Sequence, residues 1–155
     1  MKAFRILTTV VSLGVILVFS GCGGKSSPAE STQDKQLGLL SHTWKIATVT
    51  KDGVDQSTAW TGFQLTLTGT KGQTSFAYTC AGRPALSPWP ASGAWAFDPA
   101  DPVTKIIRDQ GVTGLELPLT YTVTATTLQV TFSYTGNGYT RVSSVSGSWV
   151  FNFTN

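Results

Sequence analysis

The sequence predicts an all-β domain: an antiparallel meander of about eight strands closed into a small barrel, with a two-sheet β-sandwich as the alternative. Three observations lead there. Apolar residues recur with period two through most of the chain beyond Leu37, turn chemistry separates the alternating segments at mostly short spacing, and no amphipathic helix of three turns is present. Such alternation sets one side of each strand on a core and leaves the other in water.

Ahead of the strands lies a different kind of segment. Lys2 and Arg5 precede an apolar run from Ile6 to Phe19, interrupted only by Thr8, Thr9, Ser12 and Gly14. A bilayer-spanning helix needs about 20 apolar residues, so this shorter run reads as an export signal. It ends in Phe19-Ser20-Gly21-Cys22, which resembles the lipobox of bacterial lipoproteins, where small residues admit the processing peptidase before a cysteine. The resemblance implies removal of residues 1–21 and lipidation of Cys22, hence attachment to the outer membrane.

Residues 22–36 hold no apolar periodicity and are rich in Gly, Ser and polar side chains, so they are expected to form a flexible tether. Surface-exported lipoproteins of the kind this segment resembles carry an acidic or Lys-acidic cluster soon after the cysteine, and Gly23-Gly24-Lys25-Ser26-Ser27 lacks one, so the resemblance implies the periplasmic face. Folding is expected to begin near Leu37, giving a single domain over residues 37–155, with Gln36 to Ser41 at most a short leading helical segment.

Strand candidates then follow in order. Trp44, Ile46 and Thr48 alternate with Lys45, Ala47 and Val49, and Phe63, Leu65 and Leu67 alternate with Gln64, Thr66 and Thr68. Thr74 to Cys80, Gly93 to Phe97 and Val103 to Arg108 come next. Leu119, Tyr121 and Val123 share a face, as do Leu128, Val130, Phe132 and Tyr134, and Val145, Gly147, Trp149, Phe151 and Phe153 are in phase at the end. Turns are expected at Asp52-Gly53, Thr70-Lys71-Gly72, Asp98-Pro99 and Gly136-Asn137-Gly138.

Charge and cysteine content narrow the function. Without residues 1–21 the chain keeps nine basic and eight acidic residues, so no basic footprint for nucleic acid remains. Lipidation of Cys22 leaves Cys80 without a disulfide partner, and a buried small apolar role is expected for it.

The only histidine, His42, has no Cys, Asp or Glu at metal-ligand spacing, and no Gly-x-Ser-x-Gly elbow, phosphate loop or calcium loop occurs. Asp52, Asp55, Asp98, Asp101 and Asp109 stand in or beside turns, where Asp serves local hydrogen bonding. The expectation is a non-enzymatic protein without cofactor or metal.

Two segments are near copies: Ser92-Gly93-Ala94-Trp95-Ala96-Phe97 and Ser146-Gly147-Ser148-Trp149-Val150-Phe151. In each, Trp and Phe share a face while the Gly leaves room for a crossing backbone or ring. With Leu40-Ser41-His42-Thr43-Trp44-Lys45-Ile46 opening the first strand and Asp52-Gly53 turning after it, the pattern resembles the lipocalin-like lipoproteins of Bacteroidetes-type bacteria over residues 37 to 153. The resemblance implies a calycin-like barrel, in a family whose members largely lack an assigned activity.

The functional residues are sought in the proline-rich stretch from Arg83 to Pro102. Trp89 there is either an exposed contact residue or, as preferred, a plug over the barrel mouth, and Trp60 is equally ambiguous. Exposed together near Arg83, the rings would form an aromatic and cationic rim, so Trp60, Arg83 and Trp89 are the candidate binding residues. Their partner would be a small apolar or amphipathic ligand held in the barrel, or an envelope protein. An immunoglobulin-like adhesion module is the rival.

Overall fold

A computed structural model describes residues 29–139 and 143–155. Both the export segment and Cys22 lie outside the described residues. The chain enters through a helix, α1 (Thr32–Leu40), and continues as nine strands: β1 (Thr43–Lys51), β2 (Val54–Asp55), β3 (Gln64–Thr68), β4 (Phe76–Ala81), β5 (Ser92–Phe97), β6 (Lys105–Arg108), β7 (Leu117–Val123), β8 (Thr127–Tyr134) and β9 (Gly147–Thr154). Every pairing is antiparallel between neighbours, and β9 pairs back onto β1 from Lys45–Thr154 to Lys51–Trp149. Eight strands therefore close into a barrel, and the two-residue β2 hangs on β1 as an extra strand. Closure excludes the sandwich and removes the two edges that an open meander would expose.

The expected tether gives way to structure earlier than its composition suggests. Residues 32–36 are helical: Ser31 Oγ accepts the Asp34 N–H at 3.0 Å as an N-cap, and the helix buries Leu37 and Leu40. Only two core contacts at a three-residue spacing hold it, which is why no longer periodicity announces it. Among the described residues no helix is long and apolar enough to cross a membrane. The helix stands at the barrel end where β1 begins. Trp44 Nε1 donates to the Leu40 carbonyl at 2.9 Å, and Tyr121 Oη donates to Gln36 Oε1 at 3.3 Å.

One strand departs from simple alternation. The β1–β9 register shifts between Ile46 and Thr48, so the phase flips at Ala47 and Val49, not Thr48, joins Trp44 in the core. An irregularity of this kind re-aims every later side chain of its strand. Its consequence falls on Lys51, which now points inward beside Trp149.

Inside, the rings meet across the axis. Trp89 lies 6.1 Å from Tyr78 on β4 and 5.5 Å from Phe132 on β8, centroid to centroid, and those strands stand opposite each other around the barrel. Phe63, Phe151 and Phe153 fill the space beside it. An eight-stranded barrel is just wide enough for its own side chains, and here they occupy it.

Candidate functional site

The end of the barrel away from α1 carries the loops β1–β3, β4–β5, β6–β7 and β8–β9. Two of its walls are built by the same device. At the β5–β6 seam Arg108 pairs with Trp95, and the next residue, Asp109, turns out of the strand with φ 52°. Its N–H donates to the Ala94 carbonyl at 2.7 Å, and its Oδ1 accepts the Ala94 N–H at 3.0 Å. At the β9–β1 seam Lys51 pairs with Trp149, and Asp52, also at φ 52°, exchanges the same two bonds with Ser148, both at 2.8 Å.

The glycine before Ala94 or Ser148 makes room for the carboxylate, so the repeated Gly-x-Trp segments have a repeated partner, a basic residue followed by Asp. The two seams lie on opposite sides of the barrel, half the strand order apart.

The copies differ in what covers the cation. Arg108 and Asp109 are both buried, with Nε and Oδ2 3.4 Å apart. Asp109 Oδ2 also accepts the Tyr78 hydroxyl at 2.9 Å. Arg108 Nη1 donates to the Pro88 carbonyl at 2.9 Å, and its guanidinium lies over the Trp89 ring at 5.5 Å. Arg108 Nε and Trp89 Nε1 are buried without a hydrogen-bond partner among the described residues. Desolvation pushes the Tyr78 hydroxyl far above its ordinary range and the nearby Cys80 thiol up to about 12. Cys80 is thus held as the neutral thiol, and thiolate chemistry is suppressed there. The chain matches no family profile, no curated protein and no solved structure.

The segment covering Arg108 is Gly82–Ala91, a strap between β4 and β5. Ser87 Oγ accepts the Trp89 N–H at 3.0 Å, the Ser87 carbonyl accepts the Tyr139 N–H at 2.8 Å, and Arg83 Nη1 donates to the Trp89 carbonyl at 3.1 Å. These bonds place the Trp89 ring in the core with 2% of its surface exposed.

Trp60, in the 3-10 turn Ser57–Trp60, is 1% exposed and packs edge-on against Phe63, Phe151 and Trp149. The expected rim of exposed rings near Arg83 is therefore not formed. Trp89 is a plug, Trp60 is a second one, and Arg83 ties down the strap. Apolar rings in contact with a filled core gain more from burial than from display.

What the open end does expose is aliphatic. Val54 on β2 and Leu86, Val112 and Leu115 on its loops project there, and among the described residues only Val103 of the exposed large apolar side chains lies toward the other end. Beside Leu86 a cleft of about 310 Å³ is lined by Lys51, Trp60, Pro84, Leu86, Val145 and Trp149 among others. His42 stands at the helix end, edge-on to Trp44 at 5.6 Å, and among the described residues no group of acidic, His or Cys side chains could hold a metal. Asp55, Asp98 and Asp101 serve their own turns as expected, through Ser57, Ala100 and Thr104. Asp109 stands at a turn as expected, but it is 6% exposed and part of the buried ion pair, because the Gly93 gap admits its carboxylate.

The two glycines make a paired test. A methyl on Gly93 would meet the buried Asp109 carboxylate and the Tyr78 ring and hydroxyl, which have nowhere to move. Gly147, at φ 150°, adds a backbone conformation that L side chains rarely adopt to its contacts with Asp52 and the Lys51 stem. Gly93→Ala should cost about 1–3 kcal/mol through contact alone, and Gly147→Ala a similar amount that shifting a side chain cannot relieve, read from urea unfolding midpoints.

Proposed function

We propose that this chain is a lipid-anchored, non-enzymatic binding module of the bacterial outer membrane, facing the periplasm and making its contacts at the loop end of the barrel. The observation that carries the location is Trp89: its ring bridges Tyr78 and Phe132 across the axis, leaving no lumen for a carried ligand at that level. Binding then falls to the open end, where the exposed aliphatic side chains and the cleft are found. The Phe19-Ser20-Gly21-Cys22 segment supports the anchor, and α1 supports the orientation, since the chain reaches the barrel from the opposite end. Several acyl chains at about 0.8 kcal/mol per buried methylene make such attachment effectively permanent, so the domain's own surface is free for other partners.

The Cys22→Ser variant tests both halves. It should leave the membrane fraction as folded protein, and native mass spectrometry should find it at its bare mass. Retention in the membrane fraction would defeat the anchor, and a stoichiometric copurifying lipid surviving in the barrel would defeat the location.

A further inference from the structure

Among the described residues, Lys51 and Arg108 are cations that face inward at the open end, at matching positions of the two Gly-x-Trp seams. The molecule itself covers Arg108: an indole ring lies over the guanidinium, a carbonyl oxygen accepts from it, and Asp109 balances its charge. Lys51 receives much less. Its Nζ stands 5.9 Å from the centre of the Trp149 ring, and among the described residues no carboxylate lies within ion-pair distance of it. The adjacent Asp52 has its Oδ1 engaged by the Ser148 N–H. Where the strap would lie against Arg108, Lys51 has the cleft.

We propose that this cleft binds a small anionic amphiphile, an aromatic or short aliphatic acid, with its apolar body on Trp60, Trp149 and Leu86 and its anion at Lys51. This rests on the reading that contacts are made at the open end, and it names their chemistry. The cavity volume lies at the lower end of the range for small-molecule sites. Its walls are largely pre-formed, since Trp60, Val145 and Trp149 are core residues that show only an edge, while Leu86 is 42% exposed and gains most from being covered. A half-buried ammonium beside an indole is a strong place for an anion, because water screens the pair less there than on an open surface. The cleft opens at the end opposite α1, which argues for a free molecule over a lipid of the anchoring membrane.

The probes are anilinonaphthalene sulfonate and its uncharged parent, phenylnaphthylamine, titrated by fluorescence into the domain without residues 1–22, with Lys51→Gln and Leu86→Ser alongside. Both substitutions are at exposed or half-exposed positions, and unchanged thermal midpoints confirm that the variants fold. The sulfonate should bind one to one and more tightly than its parent. Lys51→Gln should weaken the sulfonate by about tenfold while leaving the parent unchanged. Failure of the sulfonate to bind, or equal affinity in Lys51→Gln, overturns the anion assignment. The placement of contacts at the open end falls separately, if Leu86→Ser weakens neither dye.

Discussion

Replacing Trp89 by alanine is expected to lower the free energy of unfolding by about 3–5 kcal/mol, the cost of emptying a core position filled by a large ring. The ring touches both Tyr78 and Phe132 from between them, and it also packs on Phe63 and Phe151. Three of these four neighbours cannot collapse into the gap, because Tyr78, Phe132 and Phe151 belong to paired strands, while Phe63 stands just ahead of β3. Trp89→Phe should separate shape from polarity. It keeps most of the contact and deletes an N–H that has no partner, so its cost should stay under about 2 kcal/mol. Guanidinium unfolding of the three proteins reads both numbers. A phenylalanine variant as weak as the alanine one would mean that the indole N–H, not the ring, holds the strap.

The second large effect is expected at the buried ion pair. Asp109→Asn should cost about 3–5 kcal/mol, because it strands the Arg108 cation in the core without an anion. Asparagine tolerates the positive φ and still accepts the Ala94 N–H, so the backbone turn is preserved and the loss reports on the charge together with the acceptor of the Tyr78 hydroxyl. Arg108→Met should cost less, since Asp109 would keep the Tyr78 hydroxyl and the Ala94 N–H. The double variant should fall well short of the sum, which is the signature of a coupled pair. Lys71→Ala serves as the contrast: its partner Glu30 is exposed, as it is, and breaking that pair should cost at most about 1 kcal/mol.

The barrel was legible because β3, β7, β8 and β9 each bury one face and wet the other, so their alternation is nearly unbroken. Three features escaped for separate physical reasons. The phase flip at Ala47 leaves no mark in composition, because Ile46, Thr48 and Val49 are all good strand residues. In β6 the adjacent Ile106 and Ile107 let either face be the inner one, so alternation alone does not send Arg108 inward. A buried pair also satisfies itself through tertiary partners that are distant in sequence, here Tyr78, Pro88 and Ala94.

The rim of Trp60, Arg83 and Trp89 failed on burial, though the residues do cluster at one end as their loops require. A signal for the missed pair was present. Lys51-Asp52 and Arg108-Asp109 each sit across from a Gly-x-Trp segment, and the duplicated glycine pointed to something that needed its space.

The strand that closes the barrel also sets a clock. β9 bonds to β8 along one edge and to β1 along the other, and Asn152 joins all three, donating to Thr48 Oγ1 and accepting from Gln129 Nε2, both at 2.9 Å. Until β9 is made, β1 and β8 are both unpaired edges, and the seam that finally joins them links residues from opposite ends of the domain. Such long-range pairing carries the largest loop-closure cost and is characteristically slow. The folding domain therefore stays unsealed until β9 docks between β8 and β1, and closing that seam removes both edges at once.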